Sequence, residues 1–304
     1  MKVSICIPTH NRRADLERTL SELRRLDPRP DEIVVLADGC ADGTVEFVRA
    51  ERPDIRLLVN EKAVNCVVGR NMLMAAAAHE IVLGLDDDSY PLETDFIGRL
   101  RELFAQRPRL AVMSFPQRTN EFPETLSVAD FGPSYFAGSY VNCACAMRRS
   151  VFQSLGGYPD FFVQSYDEPD YSLRCLEAGW EIYHETSLTV RHHFTPVMRN
   201  EMRTHGRHAR NEFWGVLLRC PAPWLLPVAL FRAARQFGYG WKRGLDWVIH
   251  EPRWWLDALA GAPKCLPKRK PVSWRTYLAW MRLMRRPIFS EAEWVRTFRP
   301  GDQA

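Results

Sequence analysis

Four short apolar runs, separated by helix-forming segments and turns, fill the first 88 residues and end in three consecutive aspartates. Residues 3–8 (VSICIP) are rich in β-branched side chains and read as a buried strand. Leu16, Leu20 and Leu23 recur at helical spacing between charges, so residues 14–26 read as an amphipathic helix, stopped by Pro28 and Pro30. Residues 32–36 (EIVVL) make a second strand, Asp38-Gly39 and Asp42-Gly43 mark a turn, and residues 44–50 form a second helix. A third strand over 55–59 precedes an Ala- and Met-rich helix over 70–79, and the fourth strand, 81–85 (IVLGL), runs into Asp86-Asp87-Asp88. This alternation specifies an α/β chain whose mostly parallel sheet is covered by helices on both faces. Ligands of such sheets bind beyond the carboxyl ends of the strands, and three of those ends carry distinctive polar residues: Thr9-His10-Asn11, Asp38, and Asp86 to Asp88.

After Pro91 the pattern changes to a helix over 96–106, a strand over 110–115, a loop-rich stretch over 117–135 and an apolar strand over 140–147. A short helix over 150–155 is capped by Gly156-Gly157; a helix over 170–178 ends at Gly179, and strands follow at 180–183 and 189–193. With 304 residues, 46% hydrophobic and 26% charged, the chain has ample core and is neither disordered nor fibrous. The formal charge of +4 is unevenly spread. Residues 220–304 hold 15 Lys+Arg against 6 Asp+Glu, a net +9, and eight of the 10 tryptophans, whereas residues 1–219 carry a net −5. The expected organisation is a functional body over 1–219, split into 1–91 and 92–219, followed by a basic, Trp-rich helical region over 220–304. The eight cysteines form no CxxC pair, which reads as reduced thiols in a cytoplasmic protein, with Cys143 and Cys145 on one face of a strand.

Three like charges at one strand end repel and raise one another's pKa, so a cation is expected beside Asp86, Asp87 and Asp88. A hard divalent ion, Mn²⁺ or Mg²⁺, fits oxygen ligands of this kind and commonly shares them with substrate phosphates. The first turn, Pro8-Thr9-His10-Asn11-Arg12, lacks the glycines of a dinucleotide fold, and no GxxxxGK[ST] occurs. Phosphate charge is therefore expected to meet metal and basic side chains rather than a glycine cradle.

The ordered segments VSICIPTHNR, EIVVLADGCADGT, GRN at Gly69 to Asn71, IVLGLDDD, GGYPDFF and YDEPDYSLRCLEAGW resemble the family 2 glycosyltransferases of the GT-A fold, over roughly residues 2–195. The resemblance implies a nucleotide-sugar donor bound at the first half of the sheet and inverting transfer of a hexosyl group, with a UDP-sugar favoured, to an acceptor hydroxyl. Position by position it implies that Pro8, Thr9 and Asn11 contact the nucleoside and that Asp38 bonds its base or ribose, although Ala37 replaces the usual companion aspartate. Arg70, Asp86 and Asp87 fall near the donor, Asp88 at the metal, and His192 or His193 near the diphosphate or metal. An acceptor-side carboxylate must remove the hydroxyl proton, and aligning Asp170 to Arg174 with the family pattern places Glu168 at that position, with Asp167 beside it as the alternative.

The tail combines Trp241-Lys242-Arg243, Trp254-Trp255, Lys268-Arg269-Lys270 and WMRLMRR from Trp280 to Arg286. Two readings stand: a membrane-interface region at the inner face of the cell membrane, or a helical subdomain packing its tryptophans on the body. The longest apolar stretch in the tail is interrupted by Pro227 and falls short of the ~20 residues that span a bilayer. The acceptor expected from such a location is a lipid-linked or envelope-polysaccharide glycan, selected by residues 117–139 and the tail; no nucleic-acid partner is expected. Two alternatives remain, a nucleotidyltransferase and a catalytically inactive, membrane-associated nucleotide-sugar-binding protein.

Overall fold

The computed structural model describes residues 1–195 and 200–299, so residues 196–199 of the 92–219 segment and 300–304 of the tail lie outside the described residues. The first half runs β1 (Val3–Thr9), α1 (Arg13–Leu23), β2 (Glu32–Asp38), α2 (Thr44–Glu51), β3 (Arg56–Asn60), α3 (Cys66–Ala76) and β4 (Ile81–Leu85). Then come β5 (Ser89–Pro91), α4 (Phe96–Gln106), β6 (Leu110–Ser114), β7 (Gln117–Thr119), β8 (Tyr135–Phe136), β9 (Ala144–Arg148) and α5 (Arg149–Ser154). The chain continues through α6 (Asp167–Glu177), β10 (Glu181–His184), β11 (Val190–His192), α7 (Glu201–Arg219), α8 (Leu225–Arg243), α9 (Leu245–Cys265), α10 (Trp274–Leu283) and α11 (Glu291–Phe298).

Eight strands form the main sheet in the order β3-β2-β1-β4-β9-β6-β10-β8. β1 pairs in parallel with both β2 and β4, whereas β9 runs antiparallel to β4 and β6, which makes the sheet mixed and mostly parallel. Strand order reverses at β1/β4, the switch point where open α/β sheets bind ligands. Side chains alternate between two cores: Val3, Ile5, Ile7, Leu83 and Leu85 face one, Cys6, Val34, Leu36 and Val82 the other. Both faces being buried explains why these strands read as continuous apolar runs. A second, three-stranded sheet, β5-β11-β7, sits just beyond the aspartates and pairs His192 with Ser89.

Two helices start earlier than their sequence pattern indicates. α3 begins at Cys66 because the Asn65 side chain accepts the Val68 N–H at 2.9 Å, satisfying one of the otherwise unbonded amides of the first turn. α6 begins at Asp167, so Asp167, Glu168 and Asp170 all lie in its first turn, where the helix dipole favours carboxylates.

Part of the tail returns to the body. Trp280 and Trp294 are buried, Trp280 donates its indole N–H to the Gly138 carbonyl at 2.9 Å, and Trp294 stacks on Phe136 at 5.4 Å. α8 instead packs on α7 through the buried Glu212, which meets Arg232, Arg235 and Gln236, and α9 packs on α7 through close backbone approaches. A Cβ at Gly261 would lie 2.2 Å from the Trp214 ring, and one at Gly206 2.3 Å from the Trp254 ring. Gly261→Ala gains about 1 kcal/mol of helix propensity but forces α9 off an indole already tied to the Ala258 carbonyl at 2.8 Å. Overpacking of this kind outweighs the gain, so the variant is expected to lose about 1–2 kcal/mol, read as a lower denaturation midpoint; an unchanged or higher midpoint contradicts the packing described.

Candidate functional site

The carboxyl ends of β1 and β4 meet because the two strands pair in register, with Cys6 opposite Gly84. Thr9 at the end of β1 donates its hydroxyl to Asp87 at 2.8 Å. Arg12, one turn further on, bridges the next two carboxylates, 3.0 Å from Asp87 and 2.8 Å from Asp88. Arg70 on α3 pairs with Asp86 at 2.7 Å. Two guanidiniums therefore face three carboxylates, where sequence reasoning assigned Arg12 no role. Burial still pushes the Asp87 carboxyl up to about 7 despite Arg12 and Thr9. Burial also works to raise Asp88, but His192 and Arg12 outweigh it and hold this carboxyl below the ordinary range.

Ser89 shapes the turn. Its hydroxyl accepts the Asp86 N–H at 2.8 Å and donates to the Cys143 carbonyl at 3.0 Å, fixing the aspartates against the chain entering β9. β5 then pairs with β11, which carries His192 to Asp88, with Nε2 to Oδ1 at 3.3 Å. Asp88 Oδ1 and both His192 ring nitrogens are buried without a hydrogen-bond partner. Ligand atoms of Asp86, Cys143 and His192 lie within 4.8 Å of one another. Burial raises the Cys143 thiol well above its ordinary value, and it donates to Gln117 Oε1 at 3.3 Å. The donors that converge are thus carboxylate oxygens and an imidazole nitrogen, a set that fits Mn²⁺ and, because of the imidazole, suits Mg²⁺ less well. His193, on the opposite side of the strand, is not brought to this cluster: its ring lies 3.0 Å from the Tyr90 hydroxyl, and its backbone N–H donates to the Asp88 carbonyl at 2.8 Å.

A cavity of about 370 Å³ opens on this cluster, and its lining includes Asp86, Arg70 and His192 together with Glu168. Gln117, Thr119, Glu121, Phe122 and Thr125 form another part of its wall, from the stretch where acceptor selection is expected. Asp167 does not point freely into it. Its carboxylate accepts from Asn142 Nδ2 at 2.9 Å, and the Tyr158 hydroxyl in turn donates to Asn142 Oδ1 at 2.7 Å, with the Tyr140 hydroxyl another 2.7 Å beyond. Burial and the Asp167 charge alongside raise the Glu168 carboxyl well above its ordinary 4.5.

The loop before α6 holds Val163, Ser165 and Tyr166 in the left-handed region, a conformation costly for non-glycine residues. The fully buried Asn211 of α7 stabilises it, its amide lying 2.7–2.8 Å from the carbonyls of Phe162, Gln164 and Ser165. On the opposite flank Asp38 accepts from Asn60 Nδ2 at 2.8 Å and from the Val64 N–H at 3.0 Å. Asn11 accepts the Ala41 N–H at 2.7 Å, tying the β1 loop to the β2 loop, and Pro8 lies half-buried in β1. Asn142, Tyr158 and Asn211 carry no local sequence signal of their parts; Arg12 is recognisable only once β1 is placed beside β4.

The family model described as Glycosyl transferase family 2 matches residues 4–156. Among known proteins the chain is similar to the O-antigen chain rhamnosyltransferase RfbN of Salmonella typhimurium, 23% identical over 298 residues, which span 92% of this chain and 88% of the relative. Among solved structures it resembles S. aureus TarS 1-349 in complex with UDP-GlcNAc, with a TM-score of 0.62 and 17% identity over 88% of this chain and 82% of that one. It also resembles the mannosyltransferase PcManGT from Pyrobaculum calidifontis in complex with GDP-Man and Mn2+, with a TM-score of 0.56 and 19% identity over 93% of this chain and 87% of that one.

Removing Arg12 leaves two buried carboxylates facing each other. Arg12→Met is expected to lower stability by about 3 kcal/mol at neutral pH. The sign with pH follows from Asp88, whose depressed value contributes stability that is present at neutral pH and lost on acidification. The difference between variant and wild type in denaturant melts therefore shrinks as pH falls; a constant difference from pH 8 to pH 4 contradicts the ion pairing.

Proposed function

This chain belongs to glycosyl transferase family 2, and on that premise we propose a divalent-metal-dependent, inverting transferase that moves a hexosyl group from a UDP-sugar to a hydroxyl of a growing envelope glycan. That it is a glycosyltransferase of the GT-A fold acting on nucleotide sugars follows from the family and from the proteins it is similar to. The observation that carries the finer reading is the single cavity lined at once by Asp86, Arg70, His192 and Glu168. Donor-binding groups and an acceptor-side base thus share one space. The relative that acts on O-antigen chains supports a polysaccharide acceptor.

In this reading residues 1–91 hold the donor and residues 92–219 the acceptor. Asp38, oriented by Asn60 and Val64, accepts from the N3–H of uracil, and Pro8, Thr9 and Asn11 shape the nucleoside floor. Asp88, His192 and Asp86 would hold Mn²⁺, which would supply positive charge against the diphosphate leaving group. Arg70 keeps Asp86 oriented and adds a second cation beside the departing diphosphate. Glu168 takes the proton of the acceptor hydroxyl as its oxygen attacks the anomeric carbon opposite the diphosphate, and the bond to the nucleotide breaks. Asp167 is the positioning partner, since its carboxylate is engaged by Asn142. A nucleotidyltransferase has no glycine-rich triphosphate loop to rest on here, and an inactive protein has no need of a base raised in a donor-lined cavity.

Glu168→Gln is expected to lower transfer by about 10²–10⁴-fold, measured as release of nucleoside diphosphate in the presence of acceptor glycan, with donor affinity retained. The base works only when ionised. Because its value is raised, kcat/KM of the wild type falls as pH drops through a limb lying well above the ordinary glutamate value of 4.5. A variant with wild-type turnover, or a limb at the ordinary value, overturns the assignment of Glu168.

A further inference from the structure

The α8–α9 hairpin carries an apolar face that nothing in the described chain covers. On α8, Leu226, Leu230, Phe231, Phe237 and Trp241 are exposed, Trp241 at 68%. On α9, Leu245, Ile249, Leu256 and Leu259 are exposed, Leu245 at 72%, the exposed Pro252 and Pro263 complete the same alternating spacing of four and three, and the exposed Leu266 continues it just past the helix end. That spacing puts the six α9 positions on one stripe, which Leu266 extends. Each helix buries another side, α8 through Ala229, Gln236 and Gly240, α9 through Glu251, Ala258 and Gly261. The stripe is therefore not a core face displaced by a frayed helix. A 21-residue helix is about 30 Å long, so the face is extensive.

We propose that this face is a docking surface for an anionic lipid bilayer, on which the hairpin lies flat. Charge at its two ends selects that occupant. Trp241-Lys242-Arg243 stands at the hairpin tip, and at the far end Trp224 stacks on Trp274 at 5.7 Å while Lys268 and Lys270 follow Leu266, all four being exposed. An apolar stripe ending in tryptophans and cations at both ends matches the acyl boundary flanked by the headgroup layer. A second copy fits less well. Arg243 pairs with Glu201 at 3.5 Å and Lys268 with Asp160 at 3.3 Å, but Lys242 at the tip and Arg269 and Lys270 at the far end add further cations, so a two-fold contact sets cations against cations whether the hairpins run parallel or antiparallel. The acids exposed on α9, Asp246 and Asp257, lie on its flank among Arg253 and Lys264, off the stripe. Among the described residues no helix is long and apolar enough to cross a membrane. The inference does not depend on the identity of the base or donor.

The test is sedimentation of the full chain with vesicles of phosphatidylcholine alone and of phosphatidylcholine with about one-third phosphatidylglycerol. Wild type is expected to bind the anionic vesicles, weakly or not at all the neutral ones, and to be released by high salt. Leu245→Ser combined with Leu256→Ser is expected to lower partitioning at least about tenfold with an unchanged denaturation midpoint, both positions being exposed. Lys268→Gln with Lys270→Gln, which leaves the apolar stripe intact, is expected to weaken anionic binding alone. Absence of vesicle binding by the folded chain overturns the proposal, as does equal binding by the Leu variant. So does a dimer in analytical centrifugation that the Leu variant dissolves, since the face then belongs to a second copy.

Discussion

The pairing of Arg12 and Arg70 with Asp86, Asp87 and Asp88 is the interaction on which the remainder of the site rests. Three carboxylates at the end of a buried strand repel one another and lose hydration. Arg12 reaches them from the end of β1, which is possible only because β1 and β4 are parallel neighbours at the switch point of the sheet. With one oxygen of Asp88 engaged by Arg12, the other is left facing His192. Two guanidiniums thus offset most of the charge of the three carboxylates, and Arg12 decides which oxygen of Asp88 is left without a hydrogen-bond partner.

Across the cavity a second group of acids is held in another way. The loop before α6 runs through three left-handed non-glycine residues, and Asn211 from α7 secures it. This places two acids side by side at the start of a helix. Asn142 binds Asp167, and burial beside that charge raises Glu168. Two neighbouring residues of similar chemistry thereby acquire different environments, set by hydrogen bonding and burial rather than by residue type.

The β-α alternation over residues 3–88 was legible in the sequence because it is local: β4 spans residues 81–85 as its apolar run indicates, and α4 spans 96–106. The aspartates, Arg70 and Glu168 were legible as charged residue types, and the fold brings Asp86, Arg70 and Glu168 to one cavity. What neutralises the aspartates was not, because Arg12 and Asp88 are 76 positions apart and their contact is a product of strand order. The same holds for Asn211, whose helix shows no trace of the loop it secures. Of the adjacent histidines only His192 turns toward Asp88, a distinction that strand pairing makes and sequence does not. The basic, Trp-rich tail divides likewise: Trp280 and Trp294 belong to the core, while Trp224 and Trp241 remain on the surface, and composition is blind to that division.

The central claim is that the aspartate cluster with His192 forms a metal-dependent nucleotide site. Calorimetric titration of UDP, GDP and dTDP, each with and without Mn²⁺, into wild type and Asp88→Asn tests it most directly. The account requires UDP to bind wild type with Mn²⁺, to bind far more weakly without the ion, and to lose the ion's effect in the variant. Metal-independent binding that survives Asp88→Asn, or no nucleotide binding by the folded chain with Mn²⁺ present, contradicts it.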